Sequence, residues 1–231
     1  MNQTAAYIIP NTAILNPELI QPFENFGVND SILLRSTLYL NLVENFISKD
    51  SKTDFYFYLD IGDKDFITDE FRISKLNLKF SNLSNKNLFF ENLSSKEFSS
   101  YKNNTLINSD LIGLNILDLE KLTNLLNIED ESLLINKSKS GDIGIFGFNN
   151  YSNEIFKSLI NANFKYDEFL SRIKSSSHFI HTTNDILLIK NINDFRQLYF
   201  ELSQKKSIEY CSQKMHERFT HLFIEYKDLL K

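Results

Sequence analysis

The sequence predicts an α/β layered domain built on a mainly parallel sheet, and three observations carry that prediction. Short apolar runs at Tyr7-Ile8-Ile9, 54–63, 105–109, 132–138 and 143–148 alternate with longer stretches of helical periodicity. Such alternation marks parallel strands joined by helices that pack on the sheet. The runs 132–138 and 143–148 are separated only by the turn Lys139-Ser140-Gly141-Asp142. A parallel crossover needs about a dozen residues, so this pair supplies an antiparallel element. Finally, the chain has 231 residues, 42% of them apolar. That length suits one large domain able to bury roughly 70% of its unfolded surface.

Each element follows from local chemistry. The first strand stops at Pro10, and residues 10–30 hold all three prolines and Gly27, which reads as a long irregular connection. Asp30-Ser31 offers an N-cap for a helix whose wide apolar face (Ile32, Leu33, Leu34, Leu38, Leu40, Leu42, Val43, Phe46 and Ile47) belongs beneath a sheet. The aromatic run DFYFYLDIGD (54–63) reads as a buried second strand, 64–72 as a short helix and Ile73 to Phe80 as a third strand. A helix is expected over 86–102 and another near 116–127, with Ile116, Leu119, Leu122, Leu125 and Leu126 on one face. Helices near 151–161 and 166–174 follow, and Asn191 to Leu202 is a helix. HFIHTT and DILLIK between them form one interrupted strand or two. The positions Ile208, Cys211, Met215, Phe219, Leu222, Tyr226 and Leu229 are spaced 3, 4, 4, 3, 4, 3, close to a heptad seam. We divide the chain into a body, 1–203, and a C-terminal amphipathic helix, 204–231, packed on the body or forming a homodimer contact.

Bulk properties exclude several classes. Net charge is −5 and basic runs are no longer than two residues, so no general nucleic-acid footprint is present. Cys211 is the one cysteine, which forbids an internal disulfide and fits a reducing, cytoplasmic location. The first residues lack a charged n-region and a long apolar h-region, and no run approaches a transmembrane span.

The stretch TLINSDLIGLNILDLEKL (105–122) places one carboxylate, Asp110, where a buried strand ends and a helical pattern begins. Such an acid either caps the turn or holds a metal and the phosphates of a nucleotide. Together with SGDIGIFGF (140–148), this stretch resembles a bacterial family of the glycosyltransferase-A fold, related to nucleotide-sugar and nucleotidyl transferases. There an apolar strand enters a Gly-Ser/Thr-Asp-x-Pro-x-Leu turn, matched here by Leu106-Ile107-Asn108-Ser109-Asp110 and Leu114. A later aromatic strand is matched by Gly141, Phe146, Gly147 and Phe148. The resemblance spans about residues 5–202. It implies a three-layer sandwich with a mainly parallel mixed sheet and Mg²⁺ or Mn²⁺ on Asp110. A nucleotide-binding rim at the carboxyl ends of the central strands is expected to include Asn11, Thr12, Ser109, Asp110 and Asp142, the last lying nearby without matching the family's acidic places. The implied ligand is a nucleotide-sugar.

The same comparison implies a degenerate site. The loop after the first strand, basic in that family, reads PNTAILNP here, with no Lys or Arg from Met1 to Leu34. The second acidic place in the Asp turn is Gly113, and a downstream Asp-x-Asp is replaced by Leu188-Ile189-Lys190. Two functions are therefore expected: a nucleotide-diphospho-sugar (glycosyl) transferase-like protein, metal-dependent if active, or a non-catalytic binding or scaffold protein that keeps the fold.

Other motifs yield to simpler explanations. Asp60, Asp63, Asp65 and Asp69 lack the alternation and late Glu of a Ca²⁺ loop and read as a strand-end loop and helix start. His178 and His181, three apart on a strand, face opposite sides. His216 and His221 are five apart on a helix, which does not make one ligand face. Gly141-Asp142-Ile143-Gly144 lacks the third glycine of a dinucleotide fingerprint, and Ser109 lacks the glycines of a nucleophile elbow.

Overall fold

The computed structural model describes residues 3–47, 51–72, 76–183 and 186–230. Nine strands are present among them: β1 (Thr4–Ile9), β2 (Thr53–Asp60), β3 (Leu78–Ser81), β4 (Asn103–Asn108), β5 (Leu111–Ile112), β6 (Ser132–Lys137), β7 (Ile143–Phe148), β8 (Phe179–Thr183) and β9 (Leu187–Leu188). The main sheet has the order β3-β2-β1-β4-β7-β6-β8. Only β7 runs against its neighbours; β1, β2, β3 and β4 pair in parallel, as do β6 and β8. The short 139–142 turn is the cause, since it can return the chain only antiparallel.

Among the described residues seven α-helices cover the sheet: α1 (Val28–Ile47), α2 (Lys86–Lys96), α3 (Ile116–Leu125), α4 (Asn153–Asn161), α5 (Tyr166–Arg172), α6 (Ile192–Leu202) and α7 (Gln213–Glu225). Strand β2 explains the layering. Phe55, Phe57 and Leu59 enter one core with α1, α3, α6 and α7, while Tyr56 and Tyr58 enter the other with α2, α4 and α5. Period-two alternation with both faces apolar is what a sheet buried on both sides requires.

Local chemistry adjusts several expected boundaries. Helix α1 begins at Val28, ahead of Asp30-Ser31. The Ser31 hydroxyl accepts from the Phe23 amide (2.9 Å) and donates to the Gly27 carbonyl (2.8 Å), so it pins the preceding loop. The expected helix 64–72 is instead two 3₁₀ segments, Ile61–Phe66 and Asp69–Phe71, separated where β-branched Ile67 and Thr68 take extended backbone. The third strand shortens to β3, and residues 73–75 of its expected span lie outside the described residues. HFIHTT and DILLIK are two strands in different sheets.

The terminal seam divides. Met215, Phe219 and Leu222 of α7 are buried in the core beneath α1, whereas Ile208 lies in a 3₁₀ segment, Lys205–Glu209, and is 83% exposed. Tyr226, just beyond α7, stacks on Phe26 (3.8 Å between ring centroids) and donates its hydroxyl to Asp30 (2.6 Å). Glu70 receives Lys214 at 2.9 Å and Arg218 at 3.0 Å, which ties α7 to the segment after β2. No described helix is long and apolar enough to cross a membrane.

Candidate functional site: a carboxylate ringed by cations

Strands β1 and β4 are adjacent and in register, with Ile9 opposite Asn108. The loops that leave their carboxyl ends therefore meet at the mouth of the sheet, where open parallel sheets bind ligands. Asp110 stands in the two-residue turn between β4 and β5 and is 1% exposed. Its amide donates to Asn108 Oδ1 at 2.9 Å, which fixes the turn.

The surroundings of the Asp110 carboxylate are cationic. Arg35 Nη1 donates to Oδ2 at 2.9 Å, Lys190 Nζ lies 3.8 Å from the same oxygen, and Asn11 Nδ2 approaches it at 3.4 Å. Oδ1 is buried with no hydrogen-bond partner, as is Arg35 Nε. Lys86 Nζ donates to Asn11 Oδ1 at 3.2 Å and sits 4.8 Å above the Phe164 ring. Burial lowers the Lys86 ammonium to about 8; Lys190 adds to that effect and Asp110 opposes it.

Each cation is delivered by a different element. Arg35 projects from the second turn of α1 and Lys86 is the first residue of α2, whose N-cap Asn85 accepts from the Leu88 amide. Lys190 arrives through the small β5–β9 ladder, in which Leu111 pairs with Leu188 and the Ile189 amide donates to the Asp110 carbonyl at 2.9 Å. Asp194 then closes that corner: it accepts from the Lys190 and Asn191 amides and completes a capping box with Asn191 at the start of α6. Beside the cluster runs an apolar cleft walled by Phe89, Phe90, Phe146 and Phe164, with Asn11, Asn108 and Lys86 as its polar lining.

The loop that follows β1 is rigidly built despite its lack of charge. Asp63 is fully buried and accepts from the amides of Ile14 (3.0 Å), Leu15 (2.8 Å) and Asn16 (2.9 Å). Ala13, Ile14 and Leu15 point into the core. Burial pushes the Asp63 carboxyl above its ordinary value, and the three amides pull the other way.

The residues singled out from the sequence part company here. Asn11 and Asp110 meet. The Thr12 hydroxyl donates to the Ala13 carbonyl, and Ser109 is fully buried with its hydroxyl unpartnered. Asp142 pairs with Lys165 at 3.0 Å and accepts from Ser140 at 3.0 Å. Arg35, Lys86 and Lys190 join the site from α1, α2 and the end of β9, far from the loop after β1 in sequence, so no local pattern marks them. Gly113 has a structural reason of its own: its φ is +90°, a conformation that side chains with a Cβ rarely adopt.

The donor set does not fit a divalent metal as arranged. Asp110 is a single carboxylate already compensated by Arg35 and Lys190. Among the described residues, no group of three or more His, Cys, Asp or Glu could hold a metal ion. A metal on Asp110 would have to share that carboxylate with Arg35, whose Nη1 already lies 2.9 Å from Oδ2, and would add charge to a site where Arg35 and Lys190 are already positive.

The sheet order and the single reversed strand match the nucleotide-diphospho-sugar transferase fold of the glycosyltransferase-A type. The chain superposes along its whole length on a protein from Desulfovibrio desulfuricans G20 provisionally described as a nucleotide-diphospho-sugar transferase, with TM-score 0.74, 14% identity and 97% of that chain covered. It also matches the 4-diphosphocytidyl-2C-methyl-D-erythritol synthase of Anaerococcus prevotii (TM-score 0.53, 11% identity, 96% of each chain) and a cytidylyltransferase of Leptospira borgpetersenii (TM-score 0.51, 12% identity, 100% of this chain and 97% of that one). No family model and no curated protein sequence matches the chain.

A charge prediction follows from Lys86. Lys86→Met removes an ammonium held in an apolar cleft, and we expect it to raise stability by about 1–2 kcal/mol at pH 7. Because the folded value is lowered to about 8 from 10.5, folded Lys86 sheds its proton before unfolded Lys86 does. The advantage of the variant therefore shrinks as pH rises from about 8 toward 10.5. Denaturant melts of both proteins at pH 7 and pH 10 check this, and a pH-independent difference would remove burial as its cause.

Proposed function

We propose that the chain is a nucleotide-diphospho-sugar (glycosyl) or nucleotidyl transferase-like protein that binds the phosphates of a nucleotide-sugar at the mouth between β1 and β4. One observation carries this: Arg35, Lys86 and Lys190 converge there beside an apolar cleft walled by Phe89, Phe90, Phe146 and Phe164. The fold shared with the proteins above supports it. Asn11 and Asp110 belong to this site, with Thr12, Ser109 and Asp142 at its margins. Residues 1–203 form the ligand-binding body and 204–231 its brace. A homodimer through the C-terminal helix would have to use the face left by Met215, Phe219 and Leu222. The lone buried Cys211 supports a reducing, cytoplasmic setting.

Two competing versions each have an observation behind them. The unpartnered Asp110 Oδ1 favours Mg²⁺ or Mn²⁺ on that atom once Arg35 and Lys190 turn aside. Gly113 and Lys190, at places where acids would serve chemistry, favour binding without turnover. Thermal shift with UDP-, GDP- and CDP-sugars and CTP, with and without Mn²⁺, tests the proposal. A ligand at 100 times its Kd adds about 2.7 kcal/mol, a rise of roughly 5–10 °C for a chain of this size. No shift with any of them at millimolar concentration would overturn nucleotide binding, and consumption of the bound nucleotide-sugar would separate a transferase from a binding protein.

A further inference from the structure

We infer that this site offsets the phosphate charge of its ligand with Arg35, Lys86 and Lys190, and takes that ligand without a divalent metal ion. The inference deepens the nucleotide-binding proposal and rests on it for the identity of the ligand, though not for the phosphate group itself.

The geometry supplies the components. Asp110 engages one terminal nitrogen of Arg35 and leaves Nε buried and unpartnered, so a planar donor set is held in place with capacity to spare. A guanidinium fixed in this way meets two phosphate oxygens at once with little further loss of side-chain freedom. Lys190 is 28% exposed and only loosely engaged, at 3.8 Å from Asp110. Lys86 contacts an amide oxygen and an aromatic face, neither of which offsets its charge. Three cations thus stand around Asp110; Asp194, beside Lys190, offsets part of their charge, and the excess of three cations over two carboxylates is positive. Asp110 acts as a positioning residue: it prevents mutual repulsion from splaying the cations, and its own charge is spent on Arg35. A buried site with this excess favours an anion over a further cation.

Isothermal titration calorimetry of the full chain with inorganic pyrophosphate, and separately with UDP and CDP, in EDTA and then in Mn²⁺, tests this. Pyrophosphate is expected to bind in EDTA, with no tightening on addition of Mn²⁺. Lys190→Met leaves the Arg35–Asp110 pair intact and is expected to weaken binding about tenfold or more. Lys121→Met, which removes an exposed lysine of α3, is expected to change nothing. Binding that appears only with Mn²⁺, or that tightens tenfold with it, overturns the metal-free site and leaves nucleotide binding standing. Pyrophosphate binding in EDTA without binding of either nucleotide leaves the cation site standing and counts against the nucleotide. Absence of binding by all three ligands, or equal loss in Lys190→Met and Lys121→Met, overturns the inference.

Discussion

Arg35→Met is expected to destabilise the fold by about 2–4 kcal/mol, which lowers the melting temperature of a chain this size by roughly 5–15 °C. The cause is the carboxylate left behind. Asp110 is 1% exposed, and Arg35 makes its shortest contact, 2.9 Å, while Lys190 stands off at 3.8 Å. A buried charge that loses its partner keeps its desolvation cost without the compensating attraction. Pairing the change with Asp110→Asn removes that charge and should restore most of the loss. The coupling measured in the four-protein cycle is then the pair's own contribution. If Arg35→Met melts with the parent, Arg35 does not compensate Asp110 in solution.

The second large effect belongs to a residue far from the cations. Asp63→Ala is expected to cost about 3–5 kcal/mol, because three amides that now meet a carboxylate would be left without partners in the core. The functional consequence should exceed what a stability loss implies. The amides belong to Ile14, Leu15 and Asn16, in the loop that carries Asn11 to Asp110 and Lys86. Hydrogen exchange is expected to show loss of protection over residues 12–17, with β1 protected as before, and any pyrophosphate affinity to fall with it. Loss of protection spread evenly over the sheet would instead mark Asp63 as a general core residue. Acid is not expected to release this loop early. The folded carboxyl is raised above its unfolded value, so its contribution to stability grows as pH falls through that raised value and is complete below the unfolded one.

Much of the fold was legible because it rests on neighbours close in sequence. DFYFYLD alternates faces within a single strand, Pro10 stops β1, and the turn at 139–142 is too short for anything but a reversal. The boundaries that moved did so where a side chain acts across the fold. Ser31 bonds back to the loop at Phe23 and Gly27, and α1 therefore starts at Val28. Ile208 fits the spacing of the terminal seam, yet the helix begins only at Gln213 and leaves Ile208 in solvent. Asp63 read as one of several acids in a strand-end loop, since its amide partners lie 47 to 49 positions away.

Alone, the sequence determined an α/β sheet with one reversed strand and an acid at its carboxyl edge, because periodicity, prolines and turn lengths act over a few residues. Only the tertiary structure decided what that acid faces. Arg35 is separated from Asp110 by 75 positions, as Lys86 is from Asn11, and a two-residue ladder swings Lys190 into place. The absence of Lys and Arg from the loop after β1 pointed to a site stripped of positive charge. Folding supplies that charge from three other elements, because electrostatic partners are set by distance in space and not by distance along the chain.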